Sequence, residues 1–222
     1  NPPGLAVVAT PQREDPRDAF VAAEGSAARG LHDLPAGARV GTSSLRRRAQ
    51  LAALRPDLEI VDLRGNVGTR LRKLDAGACD AAILAAAGLR RLGLHGRITA
   101  LLDPPAWLSA PGQGAIAIQV RADDVEVRDI VTRLDHPATA RAVHAERALL
   151  AALEGGCQVP IGAFVDGERL FGLIASLDGR VVVRGDAPLG DDPHAAAVAL
   201  AATLHAQGGA AILDALRAPE AP

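Results

Sequence analysis

Apolar residues fall along this chain in short runs that alternate with stretches of helical period. The run Leu-Ala-Val-Val-Ala at 5–9 predicts a strand, and Ala19-Phe20-Val21 predicts another. A polar crossing, Arg13-Glu14-Asp15-Pro16-Arg17-Asp18, separates them. Residues 25–37 are small and polar with Leu31 and Leu34 embedded, the pattern of a loop or short helix. Three similar units follow. Arg39-Val40-Gly41 ends a strand, and Thr42-Ser43-Ser44 offers hydroxyls to cap a helix over 45–54. Residues 58–63 read as the next strand; Gly65-Asn66 then turns the chain into a helix over 67–75 that Gly77 ends. Residues 79–84 give a third strand, broken by Gly88 before a short helix with Leu89 and Leu92. This strand–turn–helix order predicts a parallel α/β sheet.

The pattern changes after the loop Asp103-Pro104-Pro105-Ala106-Trp107. A turn at 110–114 leads into a strand over 115–120 and a helix over 125–134. His136-Pro137 breaks the chain, and a long helix follows over 138–154, with Gly155 as its stop. Three short strands come next, at 162–165, 169–176 and 180–184, the last two joined at the hairpin signal Asp178-Gly179. Helices over 194–206 and 208–216 complete a small α+β unit from Pro137 onward.

Composition narrows the function. The 222 residues are 49% hydrophobic and 23% charged, enough for a sizeable core in one to three domains. A net charge of −2 gives no basic field, and 2% aromatics with no Tyr give no stacking platform, so nucleic acid is not an expected partner. Two cysteines form no disulfide framework and fit a reducing cytoplasm. No uninterrupted apolar run is read as reaching membrane length, and no secretory leader is visible. The chain has no Met and opens Asn1-Pro2-Pro3-Gly4, which suggests a processed, trimmed or incomplete sequence.

Arginines crowd the turns. Arg46, Arg47 and Arg48 follow the serines, Arg64 follows the second strand with Arg70 and Arg72 beyond it, and Arg90 and Arg91 follow the third. An open parallel sheet binds ligands outside the carboxyl ends of its strands, so all three turns deliver guanidinium to one edge. Arginine at a helix N-terminus opposes the macrodipole by about 0.3–1 kcal/mol. Helix-start amides and forked guanidiniums together suit a carboxylate or phosphate. The competing reading is a set of solvated helix faces. Thr42, Ser43 and Ser44 either touch anion oxygens or serve only as caps. Cys79, inside an apolar pattern, reads as a buried small hydrophobe, and the scattered histidines show no metal-ligand spacing. Cys157 sits in the loop Gly155-Gly156-Cys157-Gln158-Val159-Pro160-Ile161-Gly162. A preceding helix C-terminus disfavours its thiolate, leaving an attachment point or a spare cysteine as the two readings.

The ordered motifs Arg13–Phe20, Gly41-Thr42-Ser43-Ser44-Leu45-Arg46-Arg47, Leu63-Arg64-Gly65-Asn66-Val67-Gly68-Thr69-Arg70-Leu71, Leu84-Ala85-Ala86-Ala87-Gly88-Leu89, Gly112-Gln113-Gly114-Ala115 and the Cys157 loop resemble the porphobilinogen deaminase (hydroxymethylbilane synthase) family over nearly the whole chain. The resemblance implies an α/β fold of two periplasmic-binding-protein-like lobes, the first mostly missing, plus a small C-terminal α+β domain. Residues 1–17 and 109–134 would be the remnant of domain 1, 18–108 a parallel α/β domain 2, and 135–222 a domain 3 carrying the cofactor cysteine. It implies a transferase of tetrapyrrole (heme, porphyrin) biosynthesis that condenses four porphobilinogen units head to tail, losing ammonia, to give hydroxymethylbilane. A dipyrromethane cofactor would hang by a thioether from Cys157. Thr42, Ser44, Arg46, Arg47, Arg64 and Gly88 would contact it, while Arg64, Arg70, Arg91 and Ala85 would hold substrate. Arg48 and Arg72 carry over less directly.

The family's catalytic Asp lies in a His-Ser-x-Lys-Asp motif that this sequence does not contain, so no catalytic residue is assigned within it. Asp15 and Asp18 belong to a different motif. The stretch is therefore expected not to turn over by itself, and strands 5–9 and 115–120 are expected to lack partners. The implied partners are porphobilinogen and the growing linear tetrapyrrole, with no nucleic acid or membrane, in a cytoplasmic monomer. The alternative is a non-catalytic two-lobed anion-binding module.

Overall fold

The structure is a computed structural model that describes residues 2–154 and 159–217. Its centre is a five-stranded sheet of β2 (Asp18–Ala22), β3 (Arg39–Gly41), β4 (Glu59–Val61), β5 (Ala81–Ala85) and β6 (Ala100–Leu102), in the order β4-β3-β5-β2-β6. Side chains alternate between its faces, as the strand period of two requires. Ala19, Val21, Ala82 and Leu84 face a cluster with Leu71, Leu74 and Leu89 from the helices α2 (Val67–Asp75) and α3 (Ala86–Arg91). Phe20, Ala81 and Ile83 face the opposite cluster with Val40, Trp107 and Leu51 of α1 (Leu45–Leu54). Both faces are covered, which explains why these strands read as near-continuous apolar runs.

The sheet is not wholly parallel. Strand β3 runs parallel to β4 and β5, but β2 is antiparallel to both β5 and β6. An antiparallel neighbour needs no crossover helix, and none precedes β2. Its direction sets Asp18 opposite Ala85, at the edge where the parallel strands end.

Strand β1 (Leu5–Ala9) pairs antiparallel with β7 (Ile118–Arg121), with an irregularity between Val7 and Ala9. The two strands expected to be partnerless thus partner one another, each satisfying one edge of the other. Helix α4 (Val125–Thr132) follows, capped by Asp124 onto the Val127 amide.

The C-terminal unit is an antiparallel sheet of β8 (Ile161–Asp166), β9 (Arg169–Ala175) and β10 (Val182–Pro188), ordered β10-β9-β8. Helices α5 (Pro137–Ala152) and α6 (Pro193–Leu204) cover one face through Leu149, Leu200, Leu204 and their neighbours. The other face meets α1 and the chain after β6, where Ala49 and Leu108 pack on Leu173 and Ala175. The Asp178-Gly179 turn abuts α1 itself: with φ +70, a Cβ on Gly179 would lie 2.5 Å from the Ala49 carbonyl oxygen.

By length and composition alone the stretch Pro193–Arg217 could cross a membrane, although His205, Gln207 and Asp214 interrupt its apolar run. Here it is α6, a π-turn at His205–Gly209 and α7 (Ala210–Arg217), with a break at Gly208. Its Leu200, Leu204, Ile212 and Leu213 belong to the unit's core.

Candidate anion-binding site

The site forms where β3 and β5 end, α1 begins and β2 starts. Ser44 precedes α1 in extended conformation but makes no side-chain cap hydrogen bond. This corrects the expected hydroxyl cap: Ser43 Oγ donates to the Leu63 carbonyl at 2.8 Å, and Thr42 Oγ1 accepts from the Ser44 amide at 3.3 Å. The hydroxyls brace the turn to β4 and to itself rather than closing the helix.

Two and three residues past Ser44, two guanidiniums go inward. Arg46 and Arg47 are buried, and between them lies Asp18, fully buried. Arg46 donates to Asp18 Oδ2 at 2.7 Å, while Arg47 donates to Oδ1 through Nε and Nη2 at 3.1 and 2.8 Å. The Trp107 indole donates to Oδ2 at 2.7 Å, and Gln113 Nε2 donates to Oδ1 at 2.8 Å. Burial alone would push the Asp18 carboxyl up. The charges of Arg46 and Arg47, with their hydrogen bonds, override it and hold the group well below the usual carboxylate range. Arg46 also donates to the Leu108 carbonyl and Arg47 to that of Ile83, the latter at 3.2 Å. Two positive charges thus share one negative charge at a helix N-terminus, and a positive charge is left over for an anion.

The other candidate residues are placed variously. Arg70 is half-buried and bonds the Gly65 carbonyl at 2.8 Å. It stands on the same edge, since α2 follows the end of β4, which runs parallel to β3; burial, and then the charge of nearby Arg47, lower its pKa. Ala85 and Gly88 are half-buried at the start of α3, and a Cβ on Gly88 would meet Val67 at 3.3 Å. Arg64 is turned outward, its side chain 79% exposed and paired with Asp62 at 2.6 Å. Arg91 is exposed and donates to the Gly114 carbonyl at 2.7 Å. The edge therefore gathers Thr42, Ser44, Arg46, Arg47, Arg70, Ala85 and Gly88; Arg64 and Arg91 are engaged elsewhere. Cys157 lies outside the described residues. Cys79 is buried beneath the sheet, and burial raises its thiol pKa.

Asp18 and Gln113 were missed as site residues in the sequence. The signal was present: a carboxylate immediately before an apolar strand is seldom buried without cationic partners. Asp15, nearby, is taken by Arg17 and Arg90 at 2.7 and 3.1 Å. A second buried carboxylate, Glu146 on α5, accepts both terminal nitrogens of Arg13 at 2.8 and 2.9 Å and the amides of Gly112 and Val165 at 2.7 and 3.0 Å. It joins the C-terminal unit to both segments that run between the two-stranded ribbon of β1 and β7 and the five-stranded sheet.

The mixed α/β sheet thus carries two buried guanidiniums against one buried carboxylate at a helix start, an arrangement with the chemistry to take a carboxylate. Comparison with known proteins gives the family. Residues 1–129 match the family model described as "porphobilinogen deaminase, dipyromethane cofactor binding domain", and 140–206 match the porphobilinogen deaminase C-terminal domain. A porphobilinogen deaminase of Syntrophobacter fumaroxidans is 57% identical over 82% of this chain and 60% of its own length. Those of Roseiflexus sp. and Gloeobacter violaceus are 52% and 53% identical over 96% of the chain, covering 70% and 67% of their own lengths. The chain belongs to the porphobilinogen deaminase family, and it spans about two thirds of the length of these relatives. Among solved structures, holo ArgBP from T. maritima is similar at a TM-score of 0.35 and 18% identity, covering 58% of this chain and 55% of its own. The alternative of a non-catalytic anion-binding module is not favoured, because both domain models of the enzyme match.

Proposed function

We propose that this chain supplies the cofactor-holding and chain-holding machinery of hydroxymethylbilane synthesis from porphobilinogen. The observation that carries the reading is the buried Arg46–Asp18–Arg47 cluster with its surplus charge, inside a span that matches the dipyrromethane-binding family model. Dipyrromethane, when bound, supplies the terminal pyrrole ring to which each porphobilinogen unit is added. Its acetate and propionate groups suit this donor set: fixed guanidiniums aligned with helix-start amides. Cys157 would hold it through a thioether. Arg46 and Arg47, with the hydroxyls of Thr42 and Ser44, would hold its carboxylates, and Arg70 those of the neighbouring ring. Arg64 and Arg91 would join by releasing Asp62 and the Gly114 carbonyl, both at the surface. Ala85 and Gly88, at the start of α3, would line the pocket through backbone. Asp15 and Asp18, each held by arginines, are kept ionised as weak bases and do not serve as proton acceptors.

The division into residues 1–17 with 109–134, 18–108, and 135–222 is part of the proposal; the separate cores within 19–107 and 145–216 support it. A cytoplasmic monomer with no membrane or nucleic-acid partner is also proposed, supported by the net charge of −2 and two cysteines. The decisive measurement is intact-mass spectrometry of the protein as its gene encodes it. A dipyrromethane adduct is expected on Cys157, together with the colour reaction of a pyrrole with Ehrlich's reagent. Cys157→Ser should carry neither. Unmodified Cys157 in protein purified from a porphobilinogen-producing cell would sink the reading.

A further inference from the structure

We infer that Asp18 is a positioning residue for the anion cradle, its buried carboxylate clamping Arg46 and Arg47 in one fixed orientation and tying them to the segments that enter and leave the five-stranded sheet. The inference rests on the proposed function only for the identity of the ligand.

The argument is geometric. Two guanidiniums side by side repel each other and, if unpaired, turn to solvent. Here both are buried, so something holds them against that tendency. Among the described residues Asp18 is the one carboxylate that both touch, one oxygen to each. Its orientation is fixed in turn by the Trp107 indole and the Gln113 amide, so the acceptor has supports besides the two arginines. Gln113 Nε2 also donates to the Pro16 carbonyl at 2.6 Å, and its Oε1 lies 3.4 Å from Nη2 of both arginines. Residues 16 and 113 lie on the two segments that join the ribbon to the sheet. The cradle is therefore referenced to both crossings through one carboxylate. Arg70, near Arg47, adds charge to the same edge and donates to the Gly65 carbonyl.

This role and a plain electrostatic one have opposite signs. If Asp18 only neutralised charge, Asp18→Asn would make the edge more positive and strengthen anion binding. If it positions the arginines, Asp18→Asn loses the oriented pair and weakens binding despite the added positive charge.

The test uses the cofactor-free protein as its gene encodes it, with two readouts. Calorimetric titration with succinate reads carboxylate affinity per folded molecule; intact mass after incubation with porphobilinogen reads adduct formation. Asp18→Asn should weaken succinate binding by about tenfold or more and slow adduct formation by a similar factor. Trp107→Phe, which keeps the charge and removes one donor, should fall between the two proteins. Succinate affinity that is unchanged or stronger in Asp18→Asn overturns the inference. Should Asp18→Asn fail to fold, Trp107→Phe and Gln113→Ala decide it: weaker binding in both supports it, and wild-type affinity in both overturns it. If succinate binding depends on Asp18 but no adduct ever forms on the wild-type protein, the proposed function falls and the positioning role stands.

Discussion

Replacing Glu146 with Ala should be among the most destabilising single changes in the chain. The carboxylate is fully buried and its partner Arg13 is nearly so. Truncation strands the Arg13 guanidinium and leaves the amides of Gly112 and Val165 without their acceptor. Breaking a buried ion pair from one side costs about 3–5 kcal/mol. Counting instead the two stranded amides at about 1–3 kcal/mol each gives a range centred on the same value. At about 2–4 °C per kcal/mol for a chain of this size, a loss near 4 kcal/mol lowers Tm by about 8–16 °C. Urea unfolding followed by circular dichroism measures the change directly. Glu146→Gln keeps the shape and one acceptor and should lose less. With Arg13→Ala, a double-mutant cycle should return a coupling of about 0.5–3 kcal/mol. A loss below about 1 kcal/mol for Glu146→Ala, or additive single mutants, would refute the view of this residue as the joint between three segments.

Two further outcomes follow from the same contacts. The folded-state pKa of Asp18 is depressed, so the stability it confers is fully present above the ordinary carboxylate pKa of about 4 and is lost as pH falls below it. Acid unfolding of Asp18→Asn should therefore have a shallower slope below about pH 4 than the wild type, and parallel acid limbs would count against the assignment. Gly179→Ala should cost about 1–3 kcal/mol, since the residue sits at φ +70 and the added Cβ would press on Ala49, Ala52 and Ala53 of α1; an unchanged urea midpoint would show that the turn does not bear on the helix.

Local pattern carried much of the fold. The limits of α1 and α2 follow from period and punctuation: Gly77, at φ +78, sends its amide to the Leu74 carbonyl, and Ala78 reaches back to Lys73, the helix stop its position in the sequence announces. The direction of β2 was not legible, because a period of two is the same read either way. That one bit decides the site, since reversal would carry Asp18 to the far edge of the sheet. Glu146 was legible in principle: it lies three residues before Leu149 and next to Ala145, on the buried stripe of α5, where a carboxylate requires a cation. The outward turn of Arg64 was not, because Asp62 competes for it at a range that only coordinates reveal.

Helix α1 belongs to two cores at once, and this bears on how the cradle stays in place. Leu51 packs with Phe20, Val40 and Ile83 under the five-stranded sheet. Ala49 packs with Leu108, Leu173 and Ala175 under the C-terminal sheet. The Leu108–Ser109 backbone continues that contact, since the Ser109 carbonyl accepts the Ala163 amide at 3.0 Å, and Arg184 reaches the Pro105 carbonyl at 2.9 Å. A shift of α1 relative to either sheet opens a gap that close-packed interiors tolerate poorly. The arginines in the first turn of that helix are thus located by two hydrophobic cores and oriented by one carboxylate. Strand β8, which follows the cysteine loop in sequence, is held by the same Leu108–Ser109 segment that Arg46 bonds through its Leu108 carbonyl. Strand β8 and the buried Arg46–Arg47 pair then share one frame, which is built without the ribbon of β1 and β7. Motion of the ribbon would be transmitted to that frame at two places, through Gln113 onto Asp18 and through Arg13 and Gly112 onto Glu146.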